Sequence, residues 1–279
     1  MASNKLKVIA DDTMEAIKAL KYTNPLGRTI SLDKLVIPAV RRSVLYKPDW
    51  TESLDGVEKI TSRTVTVTRE TTLEAASRFS DVCVLNFASA KNPGGGFLRG
   101  ASAQEESIAR SSALYHTLVV HPEFYEENKL SQNIMYLDYA IYSPDVPVIR
   151  NDRGDWLEEP YTISVVTSPA PNRSAIMIDD DMPEVGSSER KKAFKEMDAK
   201  IQEVFDRRIR QVLRIMAVNG HKNIVLGAWG CGVFGNDPIV VSKLFKDALN
   251  EMPFFENIVF AIYDSPDSEV YKSFDKVFK

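Results

Sequence analysis

The sequence predicts an α/β fold: a central sheet flanked by helices. Three observations carry this. Strand-like and helix-like patterns alternate along most of the chain. Two short apolar runs, 81–87 (DVCVLNF) and 223–229 (NIVLGAW), have the character of strands buried on both faces. A glycine-rich loop comes after each run, 94–100 and 230–235. Ligands of such sheets sit beyond the carboxyl ends of the strands, so two such loops at one edge can enclose a phosphate-bearing ligand.

The elements follow in order. Residues 11–22 (DDTMEAIKALKY) have helical spacing with acidic residues at the start. Residues 32–60 hold Pro38, Pro48 and Gly56 and read as irregular structure packed onto the core. Residues 63–69 (RTVTVTR) alternate as a half-exposed strand, and 71–78 form a short helix. After the first glycine loop, 103–120 carries helical periodicity; 135–143 and 161–167 (YTISVVT) read as strands. Residues 173–188 are a polar loop with Asp179, Asp180 and Asp181. A long amphipathic helix is predicted over 189–219, where Ile201, Phe205, Ile209, Val212 and Met216 recur every three or four residues. A helix with proline in its first turn covers 238–252, and 257–264 (NIVFAIYD) is the last strand before a short closing helix.

Composition excludes several classes. With 279 residues, 44% hydrophobic and 27% charged, the chain is an ordinary globular protein with a sizeable core. A net charge of -4 gives no global pull on DNA or an anionic membrane, so an anionic ligand must be held by backbone N–H groups and helix N-termini. Two cysteines, Cys83 and Cys231, are too few for a disulfide framework and point to a reducing compartment, the cytoplasm or a nucleus. No signal peptide and no apolar stretch long enough for a membrane span is visible. Three histidines without paired spacing suggest no metal, and no cofactor is expected. A monomer is expected.

The most informative segment is Asn92-Pro93-Gly94-Gly95-Gly96, followed seven residues later by Gln104-Glu105-Glu106. Consecutive glycines bare their N–H groups and let the chain approach a ligand closely. A carboxylate pair opening the next helix supplies acid/base chemistry beside that ligand. The plainer reading is a capping box in which Ser102 is the N-cap and Glu105 reaches back to it. That reading leaves Glu106 and the glycines without a role.

Gly230-Cys231-Gly232-Val233-Phe234-Gly235 fits the dinucleotide fingerprint G-x-G-x-x-G, but its position argues against one. Only 44 residues follow Gly235, with one further strand, and Asp264 lies 29 residues beyond it, past the usual distance of roughly 20. The loop remains a backbone cradle for a diphosphate. Of the aromatics near the loops, Phe87, Phe97 and Trp229 read as core, whereas Phe234, between two glycines, is placed to face a ligand. The Asp179–Asp181 run reads as a solvated loop rather than a metal site. Cys231 has no histidine near it in sequence to activate it as a nucleophile.

These residues resemble the microbial-type poly(ADP-ribose) glycohydrolases, whose signature is a triple glycine, six to eight residues, then Gln-Glu-Glu. The flanks VLNFASAKNPGGG and SSALYHTL, and the blocks at 142–161, 167–172 (TSPAPN) and 227–238 (GAWGCGVFGNDP), are also similar. The resemblance implies a macrodomain-like mixed central sheet flanked by helices, with an N-terminal helical extension: 1–60 packs on a catalytic domain of 61–279, as one unit. It implies hydrolysis of the ribose–ribose O-glycosidic bond of poly(ADP-ribose), or of ADP-ribosylated proteins, with ADP-ribose as product. Glu106 would be the catalytic carboxylate, Glu105 would bind ribose hydroxyls, and Gln104 would orient the sugar. Gly94, Gly95 and Gly96 would form the catalytic loop with Asn92 at its entry. Residues 230–236, ending in Asn236, would hold the diphosphate, with Phe234 against the ribose. Two other readings share the pocket: a non-catalytic ADP-ribose reader, and a hydrolase of single ADP-ribosyl units on protein.

Neighbours on a helix are roughly 100° apart, so Glu105 and Glu106 cannot flank a glycosidic bond as the usual carboxylate pair does. One carboxylate must do most of the work, with the substrate's diphosphate helping to place water and stabilise the transition state.

Overall fold

The computed structural model describes residues 2–131, 133–176 and 187–279. The chain opens with α1 (Ala2–Lys18), the hairpin β1 (Lys21–Thr23) and β2 (Thr29–Ser31), α2 (Asp33–Arg41) and β3 (Val44–Tyr46). Next come β4 (Thr64–Thr68), α3 (Thr72–Ala76), β5 (Cys83–Phe87), a 3₁₀ turn (Phe97–Arg99), α4 (Gln104–Ser111), α5 (Leu114–Leu118) and α6 (Pro122–Leu130). The remainder is β6 (Ala140–Arg150), β7 (Trp156–Ser168), α7 (Arg173–Ile176), α8 (Ser188–Val218), β8 (Asn223–Leu226), α9 (Pro238–Glu251), β9 (Asn257–Ala261) and α10 (Glu269–Phe278).

Seven strands form one mixed sheet in the order β3-β6-β7-β5-β8-β9-β4. The five from β7 to β4 run parallel, and β6 and β3 are antiparallel to their neighbours. The sheet is buried on both faces, and neighbouring residues on a strand go to opposite cores. Val84, Val165, Val225 and Val259 join one cluster with Ile17, Leu32, Val36, Leu73, Ile108 and Leu114. Leu85, Val166, Leu226 and Phe260 join the other, under Phe205, Ile209, Val212 and Met216 of α8 and Phe245 of α9. This is why the parallel strands read as continuous apolar runs rather than alternating ones.

Several elements differ from the sequence expectation. Residues 32–60 are not wholly irregular. Helix α2 forms despite an internal Pro38, because Leu32, Val36 and Ala39 bury one face, and β3 completes the sheet edge against β6. The helix expected over 103–120 is two, α4 and α5. Between them Ser112 is extended and bridges Val148, while Ala113 N–H donates to the Pro147 carbonyl. Residues 135–139 precede β6 instead of opening it, and the strand runs on to Arg150 past a register shift at Asp145, whose φ is +48°. Helix α6 carried no sequence signal strong enough to predict it. Helix α1 extends back to Ala2. The Asp179–Asp181 run lies outside the described residues.

One buried charge ties the sheet to the helix behind it. Arg208 of α8 is fully buried and donates to Asp138 Oδ1 at 2.6 Å and to the carbonyls of Pro169, Met135 and Tyr136. All five guanidinium donors cannot be left dry, and these four acceptors explain how the charge is tolerated.

Candidate active site

Strands β5 and β8 are neighbours and parallel, so the two glycine loops leave the same end of the sheet side by side. A cleft of about 660 Å³ opens there. Every parallel strand contributes its final residue or the segment just after it: Glu70 to Leu73 after β4, Phe87 and Ala88 from β5, Ala228 to Gly230 after β8, and Ala261 to Asp264 from β9. The loop after β7 adds Ala170. The site thus follows the strand-end rule for α/β sheets.

On the first loop the backbone is built around the carboxylate pair. Gly95 adopts φ +60°, and a Cβ there would overlap Glu106 Oε1 and stand 3.1 Å from Glu105 Oε2. Glycine is therefore required twice, by conformation and by the two acids converging on it. Phe97 is buried against Ala10 and Ala109 and anchors the loop's far end. Asn92 closes the near end through its carbonyl, which accepts from Gly95 N–H at 3.0 Å.

The cap of α4 is not the one expected. Ala103, not Ser102, is the N-cap residue, and the acid that reaches back is Glu106, whose Oε2 accepts from Ala103 N–H at 3.1 Å. Alanine offers no side-chain acceptor in return, so only this half of a capping box exists. Glu106 Oε1 accepts from Gly96 N–H at 2.9 Å. Both oxygens of Glu106 are thus held by backbone N–H groups flanking the loop.

Glu105, expected as the cap, points inward and is only 3% exposed. Its Oε2 accepts from Ser89 N–H at 2.7 Å and its Oε1 from Asn86 Nδ2 at 3.3 Å. Burial pushes its carboxyl up to about 8, against the pull of those two donors and with help from the neighbouring Glu106. Near neutral pH this carboxyl therefore carries a proton. The pair thus differ: Glu105 is buried and kept neutral, and Glu106 has both oxygens on backbone N–H groups.

Gln104 lines the cleft, but its amide is committed to protein. Oε1 accepts from Phe87 N–H at 2.9 Å, and Nε2 donates to the Leu85 carbonyl and to Thr72 Oγ1. Both amide hydrogens are in use, so Gln104 fastens the start of α4 to the end of β5.

On the second loop Gly230, at φ +72°, lies where a Cβ would meet Ala170 Cβ at 2.6 Å and Asn236 Nδ2 at 2.8 Å. Asn236 is buried and donates to the carbonyls of Gly230 and Pro171, stapling the loop shut. Gly235 N–H donates to the Gly232 carbonyl. Asp237 then caps α9 through Ile239 N–H, with Pro238 in the first turn. Val233, 87% exposed, and Phe234 form the lip of the cleft, whereas Phe97 and Trp229 are buried. Phe234 is braced at 6.1 Å by the ring of Tyr136. Cys231 is buried, with its thiol pushed up to about 12 by burial and by the nearby Asp237 charge, so it is no nucleophile at neutral pH. Both cysteines are free thiols.

Of the residues singled out from sequence, Gln104, Gly230, Gly232, Val233 and Phe234 line the cleft; Asn92, Gly94, Gly95, Gly96, Glu105, Glu106, Cys231, Gly235 and Asn236 are not among its lining residues. Sequence reading missed Asn86, whose signal was a polar residue inside an apolar strand run, and Ser89 behind Glu105. It also missed Ser107 and Thr71, which both donate to Asp152 along one wall. Tyr263 and Asp264 could have been found as the end of the last strand. Among the described residues no group of three or more His, Cys, Asp or Glu stands together as a metal site, and no helix is long and apolar enough to cross a membrane.

Comparison with known proteins gives the geometry a family. Residues 10–151 match the family described as microbial-type PARG, catalytic domain. A search of curated protein sequences returned no match. Among solved structures, a poly(ADP-ribose) glycohydrolase of Thermomonospora curvata bound to the inhibitor ADP-HPD is 40% identical, with a TM-score of 0.83 over 98% of this chain and 99% of that one. Another structure of the enzyme from the same organism is 39% identical, TM-score 0.86, over 99% and 100%. A poly(ADP-ribose) glycohydrolase of Deinococcus radiodurans in complex with ADP-ribose is 36% identical, TM-score 0.76, over 88% and 97%. The protein belongs to the microbial-type poly(ADP-ribose) glycohydrolase family.

Proposed function

We propose that this protein hydrolyses the ribose–ribose O-glycosidic bond of poly(ADP-ribose) and releases ADP-ribose. The observation that carries the reading is the convergence of Glu105 and Glu106 on Gly95, at the edge of a cleft whose other lip is the glycine loop of β8. Family membership supports it.

In this reading the second loop and the N-terminus of α9 hold the diphosphate through backbone N–H groups, with Phe234 bracing the ribose. Glu105, neutral at the working pH, donates a hydrogen bond to ribose hydroxyls and so orients the anomeric carbon. Glu106 enters this step in its protonated form, gives that proton to the leaving ribose oxygen as the bond breaks, and is left as a carboxylate. It then takes a proton from the attacking water. The positive charge developing on the ribose is offset by the substrate's own diphosphate and by Glu106 once it has given up its proton. Gln104 acts by positioning α4. The finer assignments belong to the same proposal: a monomer working on free polymer and ADP-ribosylated protein in the cytoplasm or a nucleus, away from DNA and membranes, which the acidic net charge supports.

The test is incubation of the purified protein with auto-modified poly(ADP-ribosyl)ated protein, without added metal, beside Glu106→Gln. The expected result is release of free ADP-ribose by the wild type and a loss of about 10²–10⁴-fold in the variant. Near-normal turnover by Glu106→Gln removes that residue from the mechanism. No release by either protein, with ADP-ribose still bound in calorimetry, makes the chain a reader.

A further inference from the structure

Arg99, at the end of the 3₁₀ turn that closes the glycine loop, stands near Glu106 and outside the residues that line the cleft. A Cβ placed on Gly96 would be 3.6 Å from Arg99 Nη2 and 3.8 Å from Glu106 Oε1, so guanidinium and carboxylate share the space over one glycine. The Arg99 side chain is exposed, is not part of the cleft wall, and has no ion-pair or hydrogen-bond partner among the described residues.

Its backbone, by contrast, is fixed. Arg99 N–H donates to the Gly96 carbonyl, and the Arg99 carbonyl accepts from Ser3 Oγ at the start of α1. Ala10 of α1 also packs on Phe97. The N-terminal helix thus braces from behind the turn that presents this cation.

Building on the glycohydrolase reading, we propose that Arg99 binds a phosphate of the leaving polymer unit, just beyond the bond that is cut. The chemistry places a phosphate there. When the terminal unit breaks at its anomeric carbon, the leaving oxygen is the 2′-hydroxyl of the next adenosine, and that same ribose carries a diphosphate on its 5′ carbon. A phosphate therefore lies a few bonds from the oxygen that Glu106 protonates, within reach of an arginine. A guanidinium suits this partner because it can meet two phosphate oxygens at once. The leaving group of an ADP-ribosyl unit joined directly to an amino-acid side chain has no such phosphate. Arg99 therefore makes the site favour polymer over single ADP-ribosyl units.

The experiment uses the full chain carrying Glu106→Gln, so that polymer is bound and not consumed. Affinity for fluorescent poly(ADP-ribose) is read by anisotropy across a salt series, alone and with Arg99→Ala or Arg99→Lys added. ADP-ribose affinity is read in the same proteins by calorimetry. Arg99→Ala is expected to weaken polymer binding about tenfold and to flatten the slope of log affinity against log salt by about 0.7, the value for one phosphate contact on a single strand. Arg99→Lys should restore the slope and only part of the affinity, and ADP-ribose affinity should hold. An unchanged slope and affinity in Arg99→Ala overturns the proposal, leaving a solvated surface arginine. Equal weakening toward polymer and ADP-ribose also overturns it, because that marks a distorted loop. Failure of the wild type to release ADP-ribose sinks the glycohydrolase reading instead, while the binding series still decides Arg99.

Discussion

Replacing Glu105 by glutamine should change how stability depends on pH, and the size of the change follows from its burial. The carboxyl titrates near 8 in the folded protein against 4.5 for an exposed glutamate. Between those values the folded state holds a proton that the unfolded chain has lost, so stability falls as pH rises. The contribution is fully present below the unfolded value and gone above the folded one. Each pH unit inside the window costs about 1.4 kcal/mol. From pH 6 to 8 the curve is already bending, and the loss comes to about 2 kcal/mol. Glu105→Gln cannot titrate, so this loss should vanish in the variant. Any hydrogen bond that glutamine makes less well with Ser89 N–H or Asn86 shifts its stability by a constant and leaves the slope alone. The histidines titrate alike in both proteins and cancel. The assay is urea unfolding of both proteins at pH 6, 7 and 8, with m-values compared to confirm two-state behaviour. A wild-type minus variant difference that stays flat across the series refutes the assignment of a buried, protonated Glu105.

Two further outcomes test the site and the scaffold. Gly95→Ala sets a Cβ in a left-handed conformation, at a cost of about 1–2 kcal/mol, and drives Glu106 from its place. Turnover of poly(ADP-ribose) should fall about 10²-fold while ADP-ribose still binds, and unaltered turnover would show that the acids need no such cradle. Arg208→Met removes the charge from four acceptors and leaves buried carbonyls unpaired, so urea unfolding should show a loss of about 3–5 kcal/mol; a loss below about 1 kcal/mol would mean that Arg207 alone satisfies Asp138.

The sequence alone determined the class of the fold, because burial on two faces leaves a continuous apolar run that periodicity detects in 81–87 and 223–229. It also singled out the candidate site residues, because three glycines and an acid pair have few other uses. What it could not hold was adjacency. Nothing local says that β5 and β8 are neighbours, yet that pairing sets the two loops side by side and makes a cleft. Local rules also misassigned the acids. Spacing from Ser102 made Glu105 the cap, but α4 begins one residue later, which turns Glu105 into the core beside Asn86 and gives the capping bond to Glu106. A one-residue shift rotates a helical side chain by roughly 100°, so a small error in the boundary exchanges buried and exposed roles. Helix α2 formed across Pro38 for a related reason: the apolar face it buries outweighs one missing hydrogen bond, and only tertiary packing supplies that face. The space over Gly96, where Arg99 and Glu106 meet, arises in the same way, from a turn that α1 holds in place from nearly a hundred residues away in the chain.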